Sequence, residues 1–266
     1  MTIKAIMVDI DGTLLNSKHQ VTPATKQAIK QVRQKGILFG IATGRDTASV
    51  LRMIKVWDIE DDVDLIVGLG GGEIYHHDTH TIASYYPLSG KDALTIVNHF
   101  KDMNVNFAIP DHGEFYTPQD DELIAMLAQG NKTTYHVVDY HDYLKLDRAK
   151  LIIITPAQLM PEVQARSQTF SIDNVRCYPT AAVLFEYMDG RISKSFGLKK
   201  AMDIRGLSME ELCCFGDADN DYEMIRDAGT GVVMGNGSDY TKSVADFITD
   251  DNDNDGIAKF INEYIL

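Results

Sequence analysis

Cysteine is scarce in this chain of 266 residues: there are three, Cys177, Cys213 and Cys214. An odd count with one adjacent pair is a poor disulfide framework and fits a reducing compartment, so a cytoplasmic location is expected. Cys213 and Cys214 have apolar neighbours and read as packing residues of a buried strand. Long apolar runs are missing as well. None approaches the ~18 residues that a membrane-spanning helix needs, and Met1-Thr2-Ile3-Lys4 leads straight into a strand pattern without signal-peptide features. Positive charge is in short supply, with 25 Lys and Arg against 39 Asp and Glu and a net charge of −14. That excess repels nucleic-acid backbones and anionic membranes, and neither is expected as a partner. There is no internal repeat, no low-complexity linker and no Cys/His cluster for zinc. Gly70-Gly71-Gly72 lacks the G-x-G-x-x-G spacing and the following helix of a dinucleotide loop.

What remains is an ordinary globular composition, 44% apolar and 24% charged, long enough for one large core or two smaller ones. Ala5-Ile6-Met7-Val8 reads as a buried strand ending at an Asp-Gly turn. Thr22-Pro23 supplies an N-cap and a first-turn proline, Ala28, Ile29 and Val32 a helical stripe, and Gly36 a stop. Ile37–Ala42 is a second strand, a helix follows from about Thr47 to Trp57, and Leu65-Ile66-Val67 is a third strand. This alternation predicts a parallel sheet with covering helices. Glu73–Tyr75 and Ile82–Tyr85 suggest a hairpin. From about Ser89 to Phe185 short strands and helices mix irregularly, and after Gly190 the α/β rhythm returns. The expected fold is α/β: a Rossmann-like parallel-sheet core with helices on both faces, residues 1–81 and 187–266, interrupted by an inserted α+β cap domain, residues 82–186.

Chemistry-bearing residues follow the predicted strands: Asp9 and Asp11 after the first, Thr43-Gly44-Arg45 after the second, and Asp217-Ala218-Asp219-Asn220-Asp221 after the Cys213-Cys214 strand. Lys194 opens a helix. In a parallel sheet such strand ends share one crevice. Several carboxylates with few other ligand types suit a hard cation, Mg²⁺ first. A carboxylate can attack phosphorus, and a second one two residues on can protonate the leaving oxygen and then deprotonate water. Thr43 offers a hydroxyl beside a helix N-terminus, and Lys194 a fixed positive charge, for the oxygens of a transferring phosphoryl group. The protein's general negative charge would repel a phosphorylated substrate unless a metal and such cations reverse the field locally.

These residues carry a resemblance. The sequence is similar to the haloacid dehalogenase superfamily of phosphohydrolases, and within it to the Cof-type sugar phosphatases with a large inserted cap of type IIB. Asp9 to Thr13 match its DxDGT motif, Thr43-Gly44-Arg45 its TGR triplet, Lys194 its helix-opening lysine, and Gly216 to Asp221 its GDxxND motif. Val233-Met234-Gly235-Asn236 matches a fifth stretch of this branch. The resemblance implies Asp9 as nucleophile and Asp11 as general acid/base. It implies magnesium held by the Asp9 carboxylate, the Asp11 carbonyl and the Asp217 carboxylate, with Asn220 and Asp221 supporting the metal and Lys194. Gly44 and Arg45 are candidates for substrate support, with Arg45 read either as a surface residue at a helix start or as a contact to substrate or cap. Relatives usually carry Asn-Gly-Ala where this chain has Gly70-Gly71-Gly72, so no contact of that Asn carries over to Gly70.

The expected activity is hydrolysis of a small phosphorylated metabolite. A phosphosugar mutase using the same aspartate and a non-catalytic phosphometabolite-binding protein are the alternatives. Asp251–Gly256 matches the opening of an EF-hand loop, but Asn262 stands at the twelfth position where a bidentate Glu belongs, and the run reads as a solvated turn capping the last helix. Neither the substrate nor the oligomeric state is legible.

Overall fold

Ala5-Ile6-Met7-Val8 forms strand β1 (Ala5–Val8), with every residue buried in a computed structural model that describes residues 2–266. Thr22 caps helix α1 (Pro23–Gln34): its hydroxyl accepts from the Thr25 N–H while Pro23 opens the first turn. Thr25, Ala28, Ile29 and Val32 turn inward at helical spacing, and Gly36 ends the helix at φ +78°. Strand β2 (Leu38–Ala42), helix α2 (Thr47–Val56) and strand β3 (Leu65–Gly68) follow. The hairpin strands β4 (Glu73–His76) and β5 (Thr81–Ser84) come next.

The chain then builds helix α3 (Gly90–Phe100), strands β6 (Asn106–Asp111) and β7 (Glu114–Thr117), helix α4 (Glu122–Gly130), strand β8 (Tyr135–Val137) and helix α5 (Tyr140–Tyr143). Strand β9 (Leu151–Ile154), helix α6 (Met160–Ser167) and strands β10 (Val175–Ala181) and β11 (Leu184–Asp189) complete this stretch. Helix α7 (Lys194–Arg205), strand β12 (Leu212–Gly216), helix α8 (Tyr222–Asp227), strand β13 (Thr230–Val233), helix α9 (Asp239–Lys242), strand β14 (Phe247–Ile248) and helix α10 (Gly256–Phe260) lead to the C-terminus.

Two compact units result: Met1–Ala83 with Ser193–Leu266, and Ser84–Ile192. The first holds a sheet of order β14-β13-β12-β1-β2-β3-β4-β5. The pairs from β14 to β3 are parallel and β4 runs antiparallel to β3. On one face Ile6, Val8, Phe39 and Ile41 join Ile29 and Val32 of α1 and Ile257 and Phe260 of α10 in a buried cluster. On the other, Gly197 of α7 comes so close to β3 that a Cβ there would lie 2.5 Å from Val67 Cγ1. The strand order reverses between β12 and β1, the place where open α/β sheets leave a crevice at their carboxyl ends.

The second unit is a six-stranded sheet of order β10-β11-β9-β6-β7-β8, antiparallel except for β7 with β8. One buried cluster gathers Phe100 of α3, Val163 of α6 and Ile153; a second places Ile124 and Leu127 of α4 against Ala108 and Ile152. The unit extends to Ile192 because β11 runs on to Asp189, beyond residue 187 where the sequence pattern put the return to the core. Strand β8 and helix α5 had no counterpart in the sequence reading. β8 is a three-residue edge strand, half-buried to exposed, and carries no alternating apolar signal. No helix among the described residues is long and apolar enough to cross a membrane.

Candidate active site

Asp9 follows β1 directly, and its N–H donates to the Phe215 carbonyl of β12 at 3.0 Å. The chain then turns tightly, with Leu14 N–H returning to the Asp9 carbonyl at 3.1 Å. Gly12 makes the turn possible. It has φ +88°, and a Cβ there would lie 2.3 Å from Asp217 Oδ2. The Thr13 hydroxyl donates to Asp217 Oδ1 at 2.7 Å, tying the first loop to the loop after β12. Sequence reasoning gave Thr13 no separate role; a hydroxyl just past the Asp-Gly turn was the signal available for it.

Lys194 is the first residue of α7, placed there by the Ser193 N-cap, and is almost fully buried. Its Nζ donates to Asp9 Oδ1 at 2.6 Å and to Asp221 Oδ1 at 2.5 Å. Asp221 is fully buried, and its Oδ2 accepts the N–H groups of Asp217 and Ala218, each at 3.0 Å. It thereby fixes the turn that presents Asp217. Gly71 lets α7 begin here. At φ +112° it lies so close to Ser193 that a Cβ would fall 1.9 Å from the Ser193 carbonyl oxygen. The glycine run is therefore a packing feature of the lysine's helix.

Thr43 is buried at the end of β2. Its N–H donates to the Val67 carbonyl at 2.8 Å, and its hydroxyl accepts the Arg45 N–H at 3.2 Å. Gly44 lies between them. Arg45 grips Asp11 at two points: Nη2 lies 3.0 Å from Oδ2 and 3.2 Å from Oδ1, and Nε lies 3.2 Å from Oδ2. Asn220 occupies the same turn as Asp221, but its side chain makes no hydrogen bond to Asp9, Asp217 or Lys194 among the described residues.

Ligand atoms of Asp9, Asp217 and Asp221 all lie within 4.8 Å of one another. Asp221 differs from the other two, since both its oxygens already accept hydrogen bonds. Burial pushes the Asp9 carboxyl up to about 7, with the Lys194 ammonium pulling the other way and Asp221 adding to the rise. Burial likewise raises Asp217 to about 6 against the bond from Thr13. Burial alone would lower the Lys194 ammonium, but Asp221 and Asp9 outweigh it and hold its pKa above the usual lysine range. One ammonium is thus bonded to the carboxyl groups of Asp9 and Asp221 with the half-buried Asp217 beside them, and burial makes Asp9 and Asp217 resist ionisation. An all-oxygen donor set short of positive charge fits a hard divalent cation such as Mg²⁺.

Comparison with known proteins agrees with this geometry. A family model described as haloacid dehalogenase-like hydrolase matches residues 6–261. The chain is 28% identical over 265 residues, 97% of its length and 96% of the relative's, to the 5-amino-6-(5-phospho-D-ribitylamino)uracil phosphatase YitU of Bacillus subtilis. It is 24% identical to the pyridoxal phosphate phosphatase YbhA of Escherichia coli, with both chains covered in full. Among solved structures, a haloacid dehalogenase-like hydrolase from Bacteroides thetaiotaomicron superposes with a TM-score of 0.85 at 27% identity, over 98% of each chain.

Proposed function

This chain belongs to the haloacid dehalogenase-like hydrolases as a Cof-type phosphoric monoester hydrolase, and we propose that it hydrolyses small phosphate monoesters, sugar phosphates first, with Mg²⁺ and through an aspartyl-phosphate on Asp9. The observation that carries the reading is the state of Asp9. Lys194 fixes its Oδ1, while among the described residues Oδ2 has no hydrogen-bond donor and is left to attack phosphorus.

Asp9, Asp217 and the Asp11 carbonyl would hold the magnesium, with Asp221 supporting through Lys194 and the Asp217 turn. The ion supplies charge neutralisation for the phosphoryl oxygens and keeps Asp9 ionised. In the first half-reaction the Asp9 Oδ2–phosphorus bond forms and the bond from phosphorus to the leaving oxygen breaks. Asp11 gives that oxygen its proton. In the second, water attacks the aspartyl-phosphate, Asp11 takes the water's proton, and phosphate leaves as Asp9 is restored. Lys194 and the Thr43 hydroxyl would face the charge spread over the equatorial oxygens, where catalysis of phosphoryl transfer chiefly resides. Arg45 holds Asp11 beside the nucleophile, and Asp11 must turn from this contact to reach a leaving group.

The unit Ser84–Ile192 is proposed as the substrate-reading cap. It is inserted in the sequence between Thr43 and Lys194. One relative is named for a phosphoribityl compound and another for pyridoxal phosphate, which supports a small phosphorylated metabolite as the substrate class. Replacing Asp9 by Asn should lower turnover of an aryl phosphate at least about a thousandfold with the fold intact by circular dichroism. Undiminished phosphate release from that variant would sink the mechanism.

A further inference from the structure

Two stretches prominent in the sequence have no part in the chemistry above: Met234-Gly235-Asn236, after β13, and the acidic run Asp250–Gly256. They meet each other and the nucleophile loop. The Asn236 side-chain amide donates to the Gly12 carbonyl at 2.9 Å, and its Oδ1 accepts the Asn252 N–H at 3.2 Å. The Asn252 side chain donates in turn to the Leu15 carbonyl at 2.7 Å. Two further carboxylates of the run hold the chain after that loop. Asp253 accepts the Ser17 N–H at 2.8 Å, and Asp255 accepts the Thr22 hydroxyl at 2.5 Å.

The run does not spread its oxygens as a cation loop would. Asp251 Oδ1 accepts from the N–H groups of Asp253 and Asn254 at 3.0 and 2.8 Å and folds the segment on itself. The stretch after β13 is seated firmly against it, since a Cβ on Gly235 would lie 2.9 Å from the Asp251 nitrogen. It also reaches the other loop of the site, through Ser238 N–H to the Asp217 carbonyl at 2.8 Å.

We propose that Asn236, backed by Asn252, is a positioning residue for the nucleophile loop. The Gly12 carbonyl belongs to the peptide that leads into Thr13, and Thr13 holds Asp217. Fixing that carbonyl therefore fixes the turn from which Asp9 and Asp11 project and, through Thr13, the orientation of the Asp217 carboxylate. Main-chain and side-chain partners of this kind tune affinity and turnover at metal sites by about 10–100-fold. The inference rests on the phosphatase reading but is tested separately from it.

Asn236 is exposed, so its replacement leaves the core untouched. Asn236→Ala removes the donor. Asn236→Asp keeps the size and the acceptor for Asn252 but sets a carboxylate oxygen against the Gly12 carbonyl. Both should lower kcat for an aryl phosphate about 10–100-fold while KM stays within about twofold, and both should weaken binding of magnesium alone, measured by calorimetry, about tenfold. A purely structural role would lower the melting temperature and leave kcat and magnesium affinity at parental values, and that result would overturn the proposal. Should Asn236→Asp fail to fold, Asn236→Ala decides alone. Asp9→Asn, run alongside, separates the two ideas. Asn236 variants that match an active parent refute the positioning role and leave the phosphatase reading standing. A parent that releases no phosphate refutes that reading, and the magnesium affinities still decide for or against Asn236.

Discussion

Lys194 has one ammonium to set against Asp9 at 2.6 Å and Asp221 at 2.5 Å. In water two carboxylates around one cation would be weakly coupled, but all three groups here are nearly or fully buried. Removing the charge from such a cluster leaves its partners desolvated and opposed, which costs about 3–5 kcal/mol where one member of a buried pair is deleted. Lys194→Met, matched in length and apolar, should therefore lose stability of that order in urea unfolding without magnesium, and lose turnover too. Unchanged stability would mean that Asp9 and Asp221 do not depend on the lysine for their charge. Asp11 is a different case. Its side chain is 53% exposed and held by the Arg45 guanidinium, so water screens that contact and the carboxylate can leave it at little cost.

At the scale of elements, the site depends on where α7 begins. Ser193 caps it with a bond from the Phe196 N–H at 3.1 Å, which fixes Lys194 in the first turn. Gly71 is the surface on which that turn rests, and its φ of +112° is open to glycine and strained for other residues. Gly71→Ala would push a methyl group into the Ser193 carbonyl. The expected result is a loss of about 1–3 kcal/mol with a drop in kcat, because the displaced turn carries the lysine away from Asp9. An alanine variant with parental stability and turnover would show that the glycine run does not set the position of α7. The element-level pattern was partly legible in the sequence. Thr22-Pro23, the Asp-Gly turn after β1 and the return of α/β rhythm after Gly190 are local signals and fall where the structure has α1, the first loop and α7. Strand β8 was not legible, because a short edge strand owes its pairing to β7 and not to its own three residues.

For the molecule as a whole, the buried carboxyls link metal, protons and stability. A carboxyl whose pKa is raised in the fold above its ordinary value binds its proton more tightly when folded. Asp217 and Asp9 therefore contribute stability below about pH 4, and lose it as pH rises through about 6 and then about 7. Magnesium replaces those protons, so its binding should weaken as pH falls and should stabilise the fold most where the carboxyls are bare. Melting curves with and without saturating magnesium should show a gain larger at about pH 8 than at about pH 5, by several degrees. An equal gain at both values would place the ion away from Asp9 and Asp217. Strong negative charge overall, −14, sharpens the need for such local compensation if the substrate is anionic.

Local sequence is enough for the alternation of elements, the insertion of an α+β unit into an α/β one, and the placing of Asp9, Thr43 and Asp217 at strand ends and of Lys194 at a helix start. Those facts are local, since each depends on neighbours within a turn or two of chain, and the parallel sheet then brings strand ends to one edge. The partners of these residues come from the packing of distant segments. Arg45 with Asp11, Thr13 with Asp217, Gly71 under Ser193, and Asn236 with Gly12 across 224 residues of chain join segments whose separation leaves no periodic trace. Their distances follow from how tightly sheet and helices pack, which no single stretch of sequence encodes.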